Sequence, residues 1–490
     1  MRLLGAARRR LCATEELSPE APAVRRFAAV PATHHGGVKS ITAPPPTLGY
    51  IAPDGAALCE PLVHQELVDI EALGWRIIPI AIKPAQHSPR PGQDYARCSL
   101  VLQSGNRLRQ WLSGLSAAIQ WGTTAAASLR LLAADMRDLG LARARSWQLP
   151  GHWLAGARVA RLLKARGCTH IHAHGAHDPA QIAMYAAAIS GIPFTCMAYG
   201  NDLFRHGWLL PQKAQRARRL LTVSHFNKTW LEQHGVDGRQ VDVIRCTPDA
   251  SVIQRTGLQA ARALAVQEDL QPASRSVPQT APPFKRMRTG AYRIGTLARL
   301  VERKGVDDLM RALAQLIRSG CAPVKLLVAG EGPERLRLQV LADQLGIHPC
   351  VEFVGTIAPQ AVAAWMRSLD LYVAAGKPDR HGDVDGIPLT LIEAMSLGMP
   401  VVATRITGVP ELVLADQTGY LAEPGQPDSL ATQIDRAMSE PERARSLGSA
   451  ARAHVRWEFG REKNLRRLVS HFHAPSVTPE TGIALEQAAA

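Results

Sequence analysis

Apolar residues along this chain fall into short continuous runs, separated by stretches with the three-to-four-residue spacing of helices. The first run, Leu48-Gly49-Tyr50-Ile51, suits a strand buried on both faces. A helix is predicted over residues 61–73, stopped by Gly74, and a strand over 76–82. Strand patterns recur at 169–174 and 194–198, on either side of a helix at 180–190 that Gly191-Ile192-Pro193 ends. Shorter strands are predicted at 219–223 and 241–244. Between residues 264 and 290 the pattern collapses into QPASRSVPQTAPP and its flanks, a composition typical of a linker. A second series follows, with strands at 292–296, 324–329, 351–354, 369–373 and 401–403. Its helices are predicted at 306–317, 334–345, 359–366 and 388–397. Strands alternating with helices predict an α/β protein of two Rossmann-like, doubly wound parallel sheets.

The expected division is a disordered basic extension over 1–46, a first domain over 47–263 and the linker over 264–290. A second domain over 291–460, a C-terminal helix over 461–474 crossing back to the first domain, and a disordered tail over 475–490 complete it. One helical stretch stands apart. Residues 110–129 carry no charge, but Gln110, Ser113, Gln120, Thr123 and Thr124 make them too polar for a membrane span. Leu108, Trp111, Leu112, Leu115 and Ile119 share one helical face. That face is expected to pack onto its own domain, with an in-plane helix on an anionic membrane as the alternative.

With 490 residues, 46% hydrophobic and 20% charged, the chain can bury two ordinary cores. The formal net charge of +15 fits phosphorylated ligands, an anionic membrane surface or nucleic acid, or reflects an Arg-rich composition alone. Nucleic acid is set aside because the basic residues are scattered and no recognition motif accompanies them. The eight cysteines show no CxxC pairing, which reads as separate reduced thiols in a cytoplasmic protein, with a peripheral place at the inner membrane face compatible with the charge. The opening MRLLGAARRRLCA lacks the apolar core of a secretory signal.

The residues richest in chemistry run from Gly382 to Met395. Gly386 permits close backbone approach, Pro388 suits the first position of a helix, and Ile387 and Leu389 flank it. Free N–H groups at that helix start would face an anion, a diphosphate being the natural guest. Glu393 lies further along, inside an apolar run, where a carboxylate can accept hydrogen bonds from sugar hydroxyls. Asp385 precedes the helix; it can bind a neutral ligand group and should repel phosphate. Arg299 and Lys304, between a strand and a helix, supply cations for the same guest. Asp383-Val384-Asp385 spells a metal-binding signature of a different fold, and no metal is expected here. Gly330-Glu331-Gly332-Pro333 is too incomplete for a dinucleotide loop.

Taken together, Arg299-x4-Lys304, VAGEGPERL, VEFVG, the acidic-x7-Glu393 segment with PLTLIEAM, and GMPVVAT with GVPELV resemble glycosyltransferase family 4. The resemblance is continuous over residues 292–459. It is weaker over 49–246, where HIHAHGAHDPAQIA and GIPFTCMAYGNDLF are similar to the exopolysaccharide and colanic-acid branch. It implies a GT-B fold with an N-terminal acceptor domain and a C-terminal donor domain. The implied activity is retaining, with transfer from a UDP- or GDP-linked sugar to a saccharide or lipid-linked saccharide in polysaccharide biosynthesis. No cofactor beyond that co-substrate is implied. Arg299 and Lys304 would bind the diphosphate, Glu393 the ribose, and Asp385, where the family usually has Glu, the transferred sugar. His174 would line the cleft near the reacting carbon, with His177 and His172 as competitors and an ordinary structural role an equal reading for each. Tyr199, where relatives often carry His, and Asp202 would lie on the acceptor side with His177. The residues alone leave open an epimerase or hydrolase on the same fold, or a catalytically impaired assembly protein.

Overall fold

The structure, a computed structural model, describes residues 45–85, 95, 99–103, 106–205, 207–245 and 290–473. Nearly all of the predicted basic extension and of the linker, and all of the tail, lie outside these residues, as do Cys12, Cys98 and Cys246. The described residues belong to one compact unit that begins at Pro45.

Two parallel sheets organise it. The first holds β1 (Thr47–Asp54), β2 (Arg76–Lys83), β3 (Leu100–Val101), β4 (His170–His174), β5 (Phe194–Ala198), β6 (Arg219–Thr222) and β7 (Val241–Val243). Their spatial order is β3-β2-β1-β4-β5-β6-β7. The second holds β8 (Tyr292–Leu297), β9 (Val324–Ala329), β10 (Val351–Gly355), β11 (Leu371–Ala374), β12 (Val401–Thr404) and β13 (Tyr420–Ala422), in the order β10-β9-β8-β11-β12-β13. All paired strands in both sheets are parallel.

The strands are continuous apolar runs because helices cover both faces of each sheet. Residues 47–52 of β1 are all buried, as are all four residues of β12. Chain order reverses beside β1 and β4 in the first sheet, and beside β8 and β11 in the second. In such sheets the crevice at the carboxyl ends of those strands is where ligands bind. His174 ends β4, and the loops carrying Arg299, Lys304 and Asp385 follow β8 and β11.

The C-terminal helix Arg461–Ser470 lies against the first sheet's lobe. Asn464 Oδ1 accepts from the Arg245 backbone N–H at 3.0 Å, and Arg461 pairs with Asp69. Phe472 is buried beside Trp75, His170 and His172.

Two expectations are corrected. Pro388 stands just outside the helix Leu389–Ser396, in an extended conformation, and not in its first turn. The face formed by Leu108, Trp111, Leu112, Leu115 and Ile119 does not pack inward. The helix Arg107–Trp121 buries Gly114, Ala117 and Ala118 and leaves those five large residues exposed. Among the described residues no helix is long and apolar enough to cross a membrane.

Candidate active site

At the carboxyl end of the second sheet, the β8 strand runs into a loop and a turn, Glu302–Lys304, that Gly305 closes. Gly305 has φ +62, and a Cβ there would lie 1.8 Å from the Ala375 carbonyl oxygen. Only glycine lets the turn press this closely on the end of β11. The Gly330-Glu331-Gly332 segment buttresses the same loop. Leu300 N–H donates to the Glu331 carbonyl at 2.9 Å, and Glu334 N–H to the Leu300 carbonyl at 3.1 Å. A Cβ on Gly330 would lie 1.9 Å from the Ala298 carbonyl oxygen and one on Gly332 2.3 Å from that of Leu300, which accounts for both glycines without a dinucleotide.

A narrow cleft, open to solvent, lies where these loops meet. Lys304, Asp385, Gly386 and Pro388 line it, with Thr296, Tyr372 and Thr390. Lys304 Nζ sits 2.7 Å from Asp385 Oδ2, and Arg303 Nε donates to Asp385 Oδ1 at 2.8 Å. Arg303 was not singled out from the sequence, although it stands beside Lys304 in the same basic turn. Asp383 is held at 3.5 Å by Arg303 and at 3.7 Å by Arg205, which reaches across from the first sheet's lobe. The two carboxylates of the Asp-Val-Asp segment are thus compensated by arginine and lysine. No group of three or more metal-ligating side chains occurs among the described residues.

Arg299 is exposed, is not among the residues that line the cleft, and forms no ion pair with the described residues. The start of the helix Leu389–Ser396 has no side-chain cap. Ile387 packs beside Gly408, while Leu389 is 40% exposed and does not line the cleft. One turn in, Glu393 is half-buried, and its carboxyl has no hydrogen-bond partner among the described residues. Burial pushes its pKa up to about 7. A carboxyl left this way inside an apolar helix face asks for hydroxyl donors.

The histidines separate cleanly. His172 is fully buried, its Nδ1 2.9 Å from Thr195 Oγ1 and its ring against Phe472. Burial holds its pKa down to about 3, so it is a neutral core residue. His174, at the end of β4, is half-buried, and burial lowers its pKa to about 4. Its Nδ1 lies 2.8 Å from the Tyr50 hydroxyl and 3.3 Å from that of Tyr199. Tyr50 in turn donates to Glu66 Oε1 at 2.8 Å, and burial raises the Glu66 carboxyl to about 7. With the Tyr50 proton committed to Glu66, His174 Nδ1 must donate and Nε2 remains an acceptor. Tyr50 and Glu66 carried no motif; only the β1–β4 pairing, with Tyr50 opposite His172, brings them to the site.

His177 is tied to Asp202 at 2.5 Å, and the other Asp202 oxygen accepts from the Tyr199 backbone N–H at 2.9 Å. His177 and Asp202 therefore shape the loop that presents His174 and Tyr199. The two lobes nearly touch here, since a Cβ on Gly200 would lie 3.5 Å from the Gly386 nitrogen.

The model of the group 1 glycosyl transferases matches residues 280–454, and that of glycosyltransferase family 4 matches residues 129–251. WcaL of Escherichia coli (strain K12), provisionally named a colanic acid biosynthesis glycosyltransferase, is 32% identical over 180 residues, covering 36% of this chain and 44% of that protein. The amylovoran biosynthesis glycosyltransferase AmsK of Erwinia amylovora is 30% identical over 176 residues, covering 36% and 43%. The chain thus spans less than half the length of these curated relatives. In fold it is similar to a glycosyltransferase from Rickettsia africae, with TM-score 0.60 at 16% identity, covering 87% of this chain and 98% of that one. HepE of Anabaena, solved with UDP, gives 0.59 at 17%, with the same coverage. The chain thus carries a glycosyltransferase family 4 domain in its first lobe and a group 1 glycosyl transferase domain in its second, on a two-sheet GT-B architecture.

Proposed function

We propose that this protein is a retaining glycosyltransferase that moves a sugar from a UDP- or GDP-linked donor to a saccharide or lipid-linked saccharide. Its working place is the cytoplasm or the inner membrane face, and it needs no metal or other cofactor. The observation that carries the reading is the half-buried Glu393 carboxyl, without a hydrogen-bond partner among the described residues, on the helix whose Thr390 lines a cleft shared with Lys304. Ribose hydroxyls would supply the donors that Glu393 lacks. The diphosphate would draw Lys304 from Asp385 and engage Arg299, which has no ion pair to break. Arg303 would keep hold of Asp385 Oδ1, freeing Oδ2 to accept from a hydroxyl of the transferred sugar.

As the bond from the anomeric carbon to the diphosphate oxygen breaks, negative charge gathers on the leaving phosphate. Arg299, Lys304 and the uncapped helix start are suited to stabilise it. The acceptor oxygen bonds to the same carbon, and its proton passes to the departing phosphate. Neutral His174 would hold a sugar hydroxyl near the reacting carbon. Named functions of relatives support the class: a Mycolicibacterium smegmatis mannosyltransferase, 35% identical over 157 residues, is named as GDP-mannose-dependent, and HepE was solved with UDP.

The test is calorimetric titration of UDP, GDP and ADP and their sugars into wild type and Glu393→Ala. One base family binding wild type, and the variant binding it at least tenfold more weakly, is the expected result. Absence of binding across the panel would sink the reading. The Lys304–Asp385 pairing also motivates the rival reading of a non-catalytic assembly protein, which predicts donor binding without sugar transfer to acceptor or water.

A further inference from the structure

The helix Arg107–Trp121 is built inside out for a protein in water. Its inward side is made of small residues: a Cβ on Gly114 would lie 2.7 Å from the Leu154 Cβ, and Ala117 and Ala118 are buried. On its outer side stand Leu108, Trp111, Leu112, Leu115 and Ile119, between 52% and 70% exposed. Their spacing (i, i+3, i+4, i+7, i+11) keeps them within an arc of roughly 100° over a length of about 16 Å. Leu129, on the adjoining helix Thr123–Leu139, is also exposed. Scattered single apolar residues are ordinary on a surface, but a continuous stripe of five on one face marks an interaction site.

Charge names the partner. From Tyr95 to Ala134 the chain has no Asp or Glu and contains Arg97, Arg107, Arg109 and Arg130. Arg109 and Arg130 are exposed, each next in sequence to an exposed leucine, Leu108 and Leu129. A second copy of the chain would bring the same arginines toward one another and add to the repulsion between two bodies of formal charge +15. An anionic lipid surface offers apolar depth for the leucines and tryptophan, and phosphate for the arginines. The helix is also too short and too polar on its flanks to cross.

We propose that the Leu108–Ile119 face is a membrane-docking surface that lies in the plane of an anionic phospholipid bilayer. The inference extends the glycosyl-transfer reading by giving a lipid-linked acceptor its point of delivery. It rests on that reading for its purpose and on the exposed stripe for its physics.

The test is vesicle flotation of the full chain with phosphatidylcholine alone and with added phosphatidylglycerol. Nucleotide calorimetry and sedimentation velocity are run on the same proteins. Wild type should float with the anionic vesicles. Leu112→Ser/Leu115→Ser should bind them about tenfold more weakly or worse, and Arg109→Glu/Arg130→Glu should lose the preference for phosphatidylglycerol. All of these residues are exposed, so unfolding midpoints and nucleotide affinity should stay at wild-type values. Trp111→Phe should lose most of the vesicle-induced blue shift in tryptophan emission. Flotation of the double-serine variant like wild type, or no flotation of wild type, would overturn the proposal. So would self-association that the serine variant dissolves, which would assign the face to a second copy. Flotation that depends on the stripe, in a protein that binds no nucleotide, would uphold the docking surface and sink only the glycosyl-transfer reading.

Discussion

Among the described residues Glu393 has no hydrogen-bond partner to set its protonation state, and burial pushes its carboxyl up to about 7. Ribose hydroxyls bind the ionised form better, so nucleotide affinity should rise as pH increases through about 7. Glu393→Gln should weaken binding by about 1.5–3 kcal/mol at high pH, the range for a hydrogen bond to a charged group, and flatten the pH profile. Calorimetry across pH 6 to 8.5 checks both. The stability effect runs the other way. The folded value of about 7 lies above the ordinary 4.5, so this contribution is fully present below 4.5 and is lost as pH rises through 7. Urea midpoints of Glu393→Gln should fall less over that window, with a residual slope from Glu66, which is raised into the same range. At the histidine side, Tyr50→Phe removes the donor to Glu66 and one of two hydroxyls on His174. It should cost about 1–3 kcal/mol of unfolding free energy and push the Glu66 titration further up. An unchanged urea midpoint would show that the Glu66–Tyr50–His174 chain does not hold this end of β4.

Among the elements, the Glu302–Lys304 turn has the least tolerance. Gly305→Ala combines a left-handed backbone with a Cβ driven into the Ala375 carbonyl. It should destabilise the second lobe by roughly 3 kcal/mol or more and displace Lys304 from the cleft, so weaker nucleotide binding should accompany the lower midpoint. Buried parallel strands were legible in the sequence because covering helices on both faces demand unbroken apolar runs, as at β1 and β12. β3, two residues long, was not, since so short a run carries no period; β13 was missed as well, although β7, also of three residues, was found. The helix Arg107–Trp121 shows a different limit. Periodicity states which residues share a face but not which face meets the core; the small residues Gly114, Ala117 and Ala118 held that information. The cleft groups were legible because Lys304, Asp385, Gly386 and Pro388 lie in two short loops with distinctive chemistry. Tyr50 and His174 are 124 positions apart and meet only through strand pairing.

At the scale of the molecule, one carboxylate fastens the two lobes. Glu411, in the second lobe, accepts from the backbone N–H groups of His225 at 2.9 Å and Phe226 at 2.7 Å, the two at the start of the helix His225–Gln233 that its Ser224 cap, taken by Asn227 N–H, leaves over. It also meets Arg245 at 2.8 Å, and the Arg245 guanidinium lies over the Phe459 ring at 4.7 Å. The Arg245 backbone N–H is taken by Asn464, so the strand exit, the seam and the C-terminal helix share one knot. Arg245 is only 9% exposed, and removing its partner leaves a guanidinium that water reaches poorly. Breaking such a pair typically costs about 3–5 kcal/mol, more than exposed ion pairs contribute. Glu411→Ala should therefore loosen the lobes without unfolding either. Thermal unfolding should split from one transition toward two, and the radius of gyration in solution scattering should increase. Glu411→Gln, which keeps the acceptor oxygen for the two N–H groups but loses the charge, should fall between. On the proposed reading the nucleotide contacts of Arg299, Lys304 and Glu393 all lie in the second lobe, so affinity should change little, whereas any activity needing both lobes should drop further than affinity does. A single transition and an unchanged radius in Glu411→Ala would place the coupling in other contacts, among them Arg205 to Asp383, the Gly200–Gly386 approach and the Arg461–Asp69 pair of the C-terminal helix.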